Sequence, residues 1–535
     1  MDRVAACFRN RPELSLAAAV AVLAFALRYW FLWNFPYPLM LHEQDGIAYM
    51  SMARDMLEFR APGIFFPPFY PVVIAVFSIL PVNFELAARI ASITMDALLV
   101  LPLFGLARIV LPCRAALAVC LLWATFAFSL YFTPSPLSQS TYLCMLLGGI
   151  YLLYRALTGE TKLWLFAAAG ACFSAACLTR PEGIAAFAAA LFLIGSGMLR
   201  KGADRRYHLK GAAVLFLAFA LCTLPYILLL RSSLGYWTFT AKTTVAIKGV
   251  DGSLVIGANA GSTKGGLALW LETFGGVAGG ISFIKSNISG FFAVLMHSFS
   301  RSMHVCALVG IPFAFIGRKF YDRLFLLPLF IATLPVYVAN LPQKHSYIYP
   351  LFPLYLILFA AGIWGVTTLC SQGVRKLLPT IPEKLLTAAA LAVLFLPAVA
   401  IGINGVRVAT SNFTSPELLF QVEQTNKVFK PAGKDIKAVS APQDLFMTRW
   451  GLVSYFAERP YMVMPKGSID DVLAAGRTSK ARFILIDTES VLSRRQELTE
   501  LLAPLYGRPV DPRYRLEVVT TRDTDAGGYV LYRYL

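Results

Sequence analysis

Along the first three-quarters of this chain, apolar residues recur in runs of roughly 17 to 25, separated by short polar turns. A helix that crosses a bilayer needs about 20 such residues, because each adds ~1.5 Å against a hydrocarbon core of ~30 Å. About eleven spans follow, near 14–35, 86–108, 115–132, 137–155, 163–179, 183–199, 210–230, 303–317, 323–340, 346–369 and 385–403. Three segments break the pattern. Residues 46–60 put Tyr49, Met52, Ala53, Met56 and Leu57 on one helical face, with Ser51, Arg54, Asp55 and Glu58 opposite, which predicts an interfacial helix on the outer leaflet. Residues 67–81 open with Pro67-Pro68-Phe69-Tyr70-Pro71 and are apolar but short, so they read as re-entrant or juxtamembrane. The loop 231–302 is rich in Gly, Ser and Thr and ends in an amphipathic stretch, 282–299.

From residue 404 the chain changes character. The segment 404–535 has no spanning run and holds 18 Lys/Arg against 15 Asp/Glu. Strand-like pieces (Ile436–Ser440, Phe483–Ile486, Leu516–Thr520, Tyr529–Tyr534) alternate with helix-like ones at 416–427, 468–475 and 489–504, predicting a small α/β domain. The fold class expected is an α-helical polytopic membrane protein with a C-terminal α/β extracytoplasmic domain. Its membrane domain would be 1–403, with outer loops 36–85 and 231–302, and its α/β domain 404–535.

Composition agrees. Hydrophobic residues make up 57% of 535, charged residues only 15%, and mean hydropathy is +0.63, which excludes an ordinary soluble domain. The formal charge of +18 sits mostly in the turns that would face inward if the N-terminus is cytoplasmic. Those segments carry eighteen cations, among them Arg108, Arg155, Lys201, Arg206, Arg318 and Arg375, against six acids. The positive-inside bias then gives an odd number of spans, N-terminus in and C-terminus out. It also disposes of a nucleic-acid partner, since the charge is spread over short turns rather than gathered on one face. The first apolar segment is too long for a cleavable signal and ends in Tyr29, Trp30, Phe31 and Trp33, which suit an interfacial belt. The nine cysteines avoid the large outer segments, which argues against a disulfide framework or a cysteine zinc site.

The candidate chemistry gathers at the outer ends of the spans. Leu41-His42-Glu43-Gln44-Asp45-Gly46 sets two carboxylates and an imidazole beside the membrane, just before the interfacial helix. Asp45 admits three readings: a helix N-terminal carboxylate, a general base for an acceptor hydroxyl, or a divalent-metal ligand with His42 and Glu43. Thr179-Arg180-Pro181-Glu182-Gly183 reads either as a self-paired connector or as a phosphate clamp through Arg180. Gln343-Lys344-His345-Ser346-Tyr347 offers a second cationic pair, or a snorkelling anchor among aromatic belt residues. Asp96, inside the second span, is expected to pair with Arg89, and Ser138-Gln139-Ser140 to cap the fourth span. Asn287 and Asn412 head glycosylation sequons.

Laid out in order, these residues resemble the GT-C membrane glycosyltransferases of the protein O-mannosyltransferase and aminoarabinose-transferase type. The likeness rests on Asp45 leading into Ala48-Tyr49-Met50-Ser51-Met52-Ala53-Arg54, on Pro67-Pro68-Phe69-Tyr70-Pro71, on Thr179–Gly183, and on Lys344-His345-Ser346-Tyr347-Ile348-Tyr349-Pro350. The resemblance implies transfer of a sugar from a polyprenyl-phosphate carrier to an envelope glycan, lipid or protein at the outer face of the membrane. It implies Asp45 as the base and Arg180, Lys344 and His345 as holders of the carrier phosphate, with Glu43, Glu182 and Tyr347 in support. Two departures stand out. The acid-Glu pair common in the family's first loop is Asp45-Gly46 here, with Glu43 upstream, and the fourth span starts at Gln139 where many relatives carry an acid. The expectation is therefore a metal-independent, inverting hexosyl- or pentosyltransferase of a bacterial inner membrane, with no cofactor, although His42, Glu43 and Asp45 leave a divalent metal open. The rival class is a transporter or flippase of a lipid-linked substrate, which would show paired broken helices in two halves. A non-catalytic scaffold would leave Asp45 dispensable.

Overall fold

A computed structural model describes residues 12–35, 45–60, 63–159, 161–200, 202, 204–241, 247–248, 254–255, 276–316, 320–332 and 348–535. The chain divides into two units, Met1–Phe31 with Met56–Ala409, and Leu32–Asp55 with Thr410–Leu535.

The first unit is helical. Among the described residues seven helices are long and apolar enough to cross a membrane: Pro12–Asn34, Phe84–Ala107, Gln139–Thr158, Arg205–Leu234, Val277–Ser298, Tyr349–Leu377 and Glu383–Phe413. Four shorter apolar helices, Cys113–Thr125, Leu163–Cys177, Gly183–Met198 and Arg301–Phe315, fall on further expected spans. The stretch expected to be amphipathic at 282–299 thus lies within a helix of spanning length, and Asn287 is buried in it, which removes that sequon as a glycan acceptor. The span expected at 323–340 is described only to residue 332, as short turns of helix. Small residues set the closest helix contacts. A Cβ on Gly310 would lie 1.8 Å from the Leu358 carbonyl, and one on Gly362 would lie 2.0 Å from that of Cys306. The Arg301–Phe315 and Phe352–Leu377 helices therefore touch backbone to backbone, as small residues allow in a bilayer.

The span expected at 115–132 is broken. Phe126 is extended (φ −67°, ψ 125°), so the helix stops at Thr125 and restarts as Ala127–Phe132. A break inside a membrane frees carbonyls that water cannot reach, and such breaks persist only where protein groups replace it. Here Arg28 does so, donating to the carbonyls of Ala124 (3.1 Å) and Trp123 (3.2 Å). The Phe69–Phe77 helix falls within the short apolar piece expected at 67–81; at nine residues it spans ~14 Å, too short to cross.

The second unit carries a five-stranded sheet, made of β1 (Phe446–Thr448), β2 (Tyr461–Val463), β3 (Phe483–Asp487), β4 (Leu516–Thr524) and β5 (Gly527–Tyr534), in the order β2-β1-β3-β5-β4. The first three strands run parallel and the last two add antiparallel. Every residue of β3 is buried, as a central strand covered on both faces requires. Ile436–Ser440, expected as a strand, is instead the end of the Lys430–Val439 helix, because Ala432, Gly433 and Ile436 form one buried helical face. The Asp45–Leu57 helix buries Ile47, Tyr49, Met50, Met52 and Ala53, while Leu57 is exposed. Within this unit Arg54 lies 5.5 Å from the ring centre of Tyr455, and Phe35 stacks on Phe413.

Candidate functional site

The Thr179–Gly183 turn is built by its neighbours. The Leu163–Cys177 helix ends with Thr179 Oγ1 bonded back to the Ala175 carbonyl at 2.7 Å, and Pro181 prevents its continuation. At Gly183 a Cβ would meet the Cys177 backbone nitrogen at 2.6 Å, so only glycine lets the next helix start this close. The tight turn presents Arg180 and Glu182 together, ion-paired at 3.3 Å and only 14% and 16% exposed. Charges sunk this far are screened less than surface ones. The Arg180 guanidinium also lies 5.9 Å from the ring centre of Tyr142.

Tyr142 belongs to the first turn of the Gln139–Thr158 helix. Ser138 stands at its N-cap but makes no capping bond, contrary to expectation; its backbone is helical (φ −75°, ψ −10°), whereas a capping side chain needs an extended residue. Helical spacing sends Gln139 and Tyr142 to one face and Ser140 to another. Ser140 turns to Asp96 at 3.3 Å. On the Tyr142 side, the Tyr142 hydroxyl and Gln139 Oε1 are buried with no hydrogen-bond partner among the described residues, as is Ser135 Oγ in the preceding turn.

That turn is fixed from outside. Arg89 donates to the Pro134 carbonyl (3.0 Å) and Ser92 to that of Leu137 (3.4 Å), and Ser92 shares a 2.6 Å hydrogen bond with Tyr70. One residue before Tyr70, the Phe69 amide donates to the Leu178 carbonyl at 2.8 Å. The Pro-Pro-Phe-Tyr-Pro segment therefore stitches the 133–138 turn to the residue preceding Thr179, bringing two of the sequence motifs into contact.

Behind this lies a buried charge network. The expected Arg89–Asp96 pair does not form, because Glu85, one helical turn from Arg89, takes it at 2.6 Å. Asp96 pairs instead with Arg28 of the first helix at 2.6 Å, both fully buried. Trp123 Nε1 (3.2 Å) and Ser129 Oγ (3.0 Å) donate to one carboxylate oxygen, and Ser140 and Tyr349 (3.0 Å) to the other. Tyr349 opens the Tyr349–Leu377 helix, so the network ties that helix start to the bundle interior.

Of the expected site residues, Arg180 and Glu182 are brought together, and Tyr142 joins them. Asp45 is the first residue of the Asp45–Leu57 helix, where its charge favours the helix N-terminus, and it belongs to the second unit. Glu43, His42, Lys344, His345 and Tyr347 lie outside the described residues. Among the described residues no group of three or more His, Cys, Asp or Glu side chains is placed to hold a metal. Reading the sequence missed Tyr142 and Arg28. The signal for Arg28 was a lone cation inside the first apolar run; for Tyr142 it was the three-residue spacing from Gln139.

The fold is shared with solved membrane proteins at low sequence identity, and the chain is a multi-pass membrane protein. Residues 66–226 match the family described as dolichyl-phosphate-mannose-protein mannosyltransferase. The solved structures it resembles include the archaeal oligosaccharyltransferase AglB from Archaeoglobus fulgidus, in complex with an inhibitory peptide and a dolichol-phosphate. The TM-score is 0.59 at 15% identity, covering 90% of this chain and 70% of that one. ArnT from Cupriavidus metallidurans, bound to undecaprenyl phosphate, aligns at a TM-score of 0.57 and 14% identity over 96% of this chain and 97% of its own. No curated protein sequence matches the chain.

Proposed function

We propose that this protein transfers a sugar from a polyprenyl-phosphate carrier to an envelope glycan, lipid or protein acceptor. The observation that carries the reading is the sunken Arg180–Glu182 pair beside the start of the Gln139–Thr158 helix, in the stretch where the mannosyltransferase family matches. A planar guanidinium can bridge a carboxylate and a phosphate at once, and a helix N-terminus favours the same negative charge. AglB and ArnT, of like fold, were solved with lipid-linked phosphates, which supports this class of donor.

In this reading Arg180, with Lys344 and His345, holds the carrier phosphate as it leaves, and Asp45 takes the acceptor proton as the sugar's anomeric carbon is attacked. Attack opposite the leaving phosphate inverts that centre, and the sugar is a hexose or pentose. No metal is needed for these steps. The basic turns argue for a cytoplasmic N-terminus with the 404–535 domain outside, and the resemblance to envelope transferases argues for a bacterial inner membrane.

The test is a transfer assay in membranes with radiolabelled polyprenyl-phosphate sugars, comparing wild type with Arg180→Ala. Loss of transfer with weaker binding of the carrier is the expected result. Equal activity in both removes Arg180 from the phosphate site, and lipid movement without transfer favours a transporter.

A further inference from the structure

The start of the Gln139–Thr158 helix holds a set of polar groups that the fold leaves unused. Tyr142 is 1% exposed, yet its hydroxyl has no partner among the described residues, and the charges of both Arg180 and Glu182 act on it. Gln139 Oε1, on the same helical face, and Ser135 Oγ, 3% exposed in the turn before it, are in the same condition. An unpaired buried hydroxyl or amide costs about 1–3 kcal/mol, so a fold rarely keeps several together without use. Within the same helical turn Ser140, facing the other way, is satisfied by Asp96, while Thr141 Oγ1 is also buried without a partner among the described residues.

The chemistry of the set is specific. Tyrosine and serine hydroxyls and a glutamine amide each donate and accept, which matches a ligand whose own groups do both. The nearby Glu182 carboxylate is held by Arg180 through Oε1 at 3.3 Å. We propose that Gln139 and Tyr142, with Ser135, form the subsite that reads the donor's sugar, and that this sugar is a neutral polyhydroxylated ring rather than an amino sugar. The inference rests on the carrier-linked transferase reading above and adds the class of sugar to it.

Binding separates the two claims, because it needs no turnover. Full-length protein in lipid nanodiscs is titrated with polyprenyl phosphate bearing no sugar, a neutral hexose, or an amino sugar. Tyr142→Phe removes one oxygen and Gln139→Leu one amide. Each should weaken the hexose conjugate by about 3- to 10-fold while leaving the sugar-free carrier unchanged. Tyr142→Phe should also leave thermal stability equal or higher, since it deletes an unpaired buried group. Gln139→Glu should raise affinity for the amino-sugar conjugate relative to the hexose one. Equal losses on the sugar-free and hexose probes, or none on either, would overturn the subsite. Tighter wild-type binding of the amino-sugar conjugate would overturn the neutral-sugar assignment. A wild type that binds none of the three probes removes the transferase reading and this inference with it.

Discussion

The buried Arg28–Asp96 pair makes a demanding prediction. Both side chains are fully buried, and Arg28 also supplies the hydrogen bonds that close the break at Phe126. Replacing Arg28 by Met leaves a carboxylate held only by Trp123, Ser129, Ser140 and Tyr349, with no counter-charge. Replacing Asp96 by Leu strands a guanidinium instead. Each single change should cost about 3–5 kcal/mol, the range for breaking a buried pair by removing one partner. The double variant Arg28→Met with Asp96→Leu removes both charges and leaves only unpaired carbonyls and donors, so it should cost no more than either single change. Independent sites would give about twice that cost, so a coupling of roughly 3 kcal/mol or more is expected. The assay is SDS-driven unfolding of the purified protein in mixed micelles, followed by tryptophan fluorescence, for wild type, both singles and the double. Additive costs, or single variants within about 1 kcal/mol of wild type, would show that the pair is not the interior lock described.

Further outcomes are expected elsewhere. Asp45→Asn should lower turnover by roughly 10²- to 10⁴-fold with carrier binding retained, as loss of a general base does; unchanged turnover would leave Asp45 as a helix N-terminal residue only. Gly310→Ala should destabilise by about 1–3 kcal/mol or more in thermal denaturation, since the methyl would collide with the Leu358 carbonyl; a shift within ~0.5 kcal/mol would deny the backbone contact. Asp487 is buried, which holds its carboxyl above the ordinary aspartate value of 3.8, while Ser490 and Trp450 donate to it. The unfolded chain therefore ionises first, so this group's contribution favours the folded state at low pH and declines as pH rises through the interval between the two values. Asp487→Asn should flatten that slope in full-chain melts taken across the interval; an unchanged slope would assign it to other groups.

Much of the architecture was legible because the forces that fix it are local. A run of apolar residues long enough to span must span or be buried, so helices appear where hydropathy places them. The all-buried strand at 483–487 and the 516–534 hairpin showed in their β-branched and aromatic content. The failures were of another kind. Strands of three residues, 446–448 and 461–463, carry too few positions to show a period, and Ile436 looked like a strand only until its neighbours one helical turn away were counted. Leu32–Asp55 grouping with Thr410–Leu535 depends on contacts such as Phe35 with Phe413, which no linear pattern encodes.

The site shows the same division more sharply. Asp96 was recognisable as an intramembrane acid, but its partner was sought on its own helix, whereas the satisfied pairing runs to Arg28 in the first helix. Two motifs were visible in their order, yet their junction is a single amide-to-carbonyl bond, Phe69 to Leu178, that depends on backbone positions and not on side-chain identity. Gln139, Ser140 and Tyr142 look alike in sequence, all polar at the start of one span. Structure separates them by whether their hydrogen-bonding capacity is consumed: Ser140 serves the Asp96 network, while Gln139 Oε1 and the Tyr142 hydroxyl are buried without partners among the described residues. Since a buried polar group that the fold does not satisfy carries a cost in the ligand-free protein, its retention is best explained by a ligand that satisfies it. That inference requires knowing which partners are absent as well as which residues are present, and only the folded arrangement supplies it.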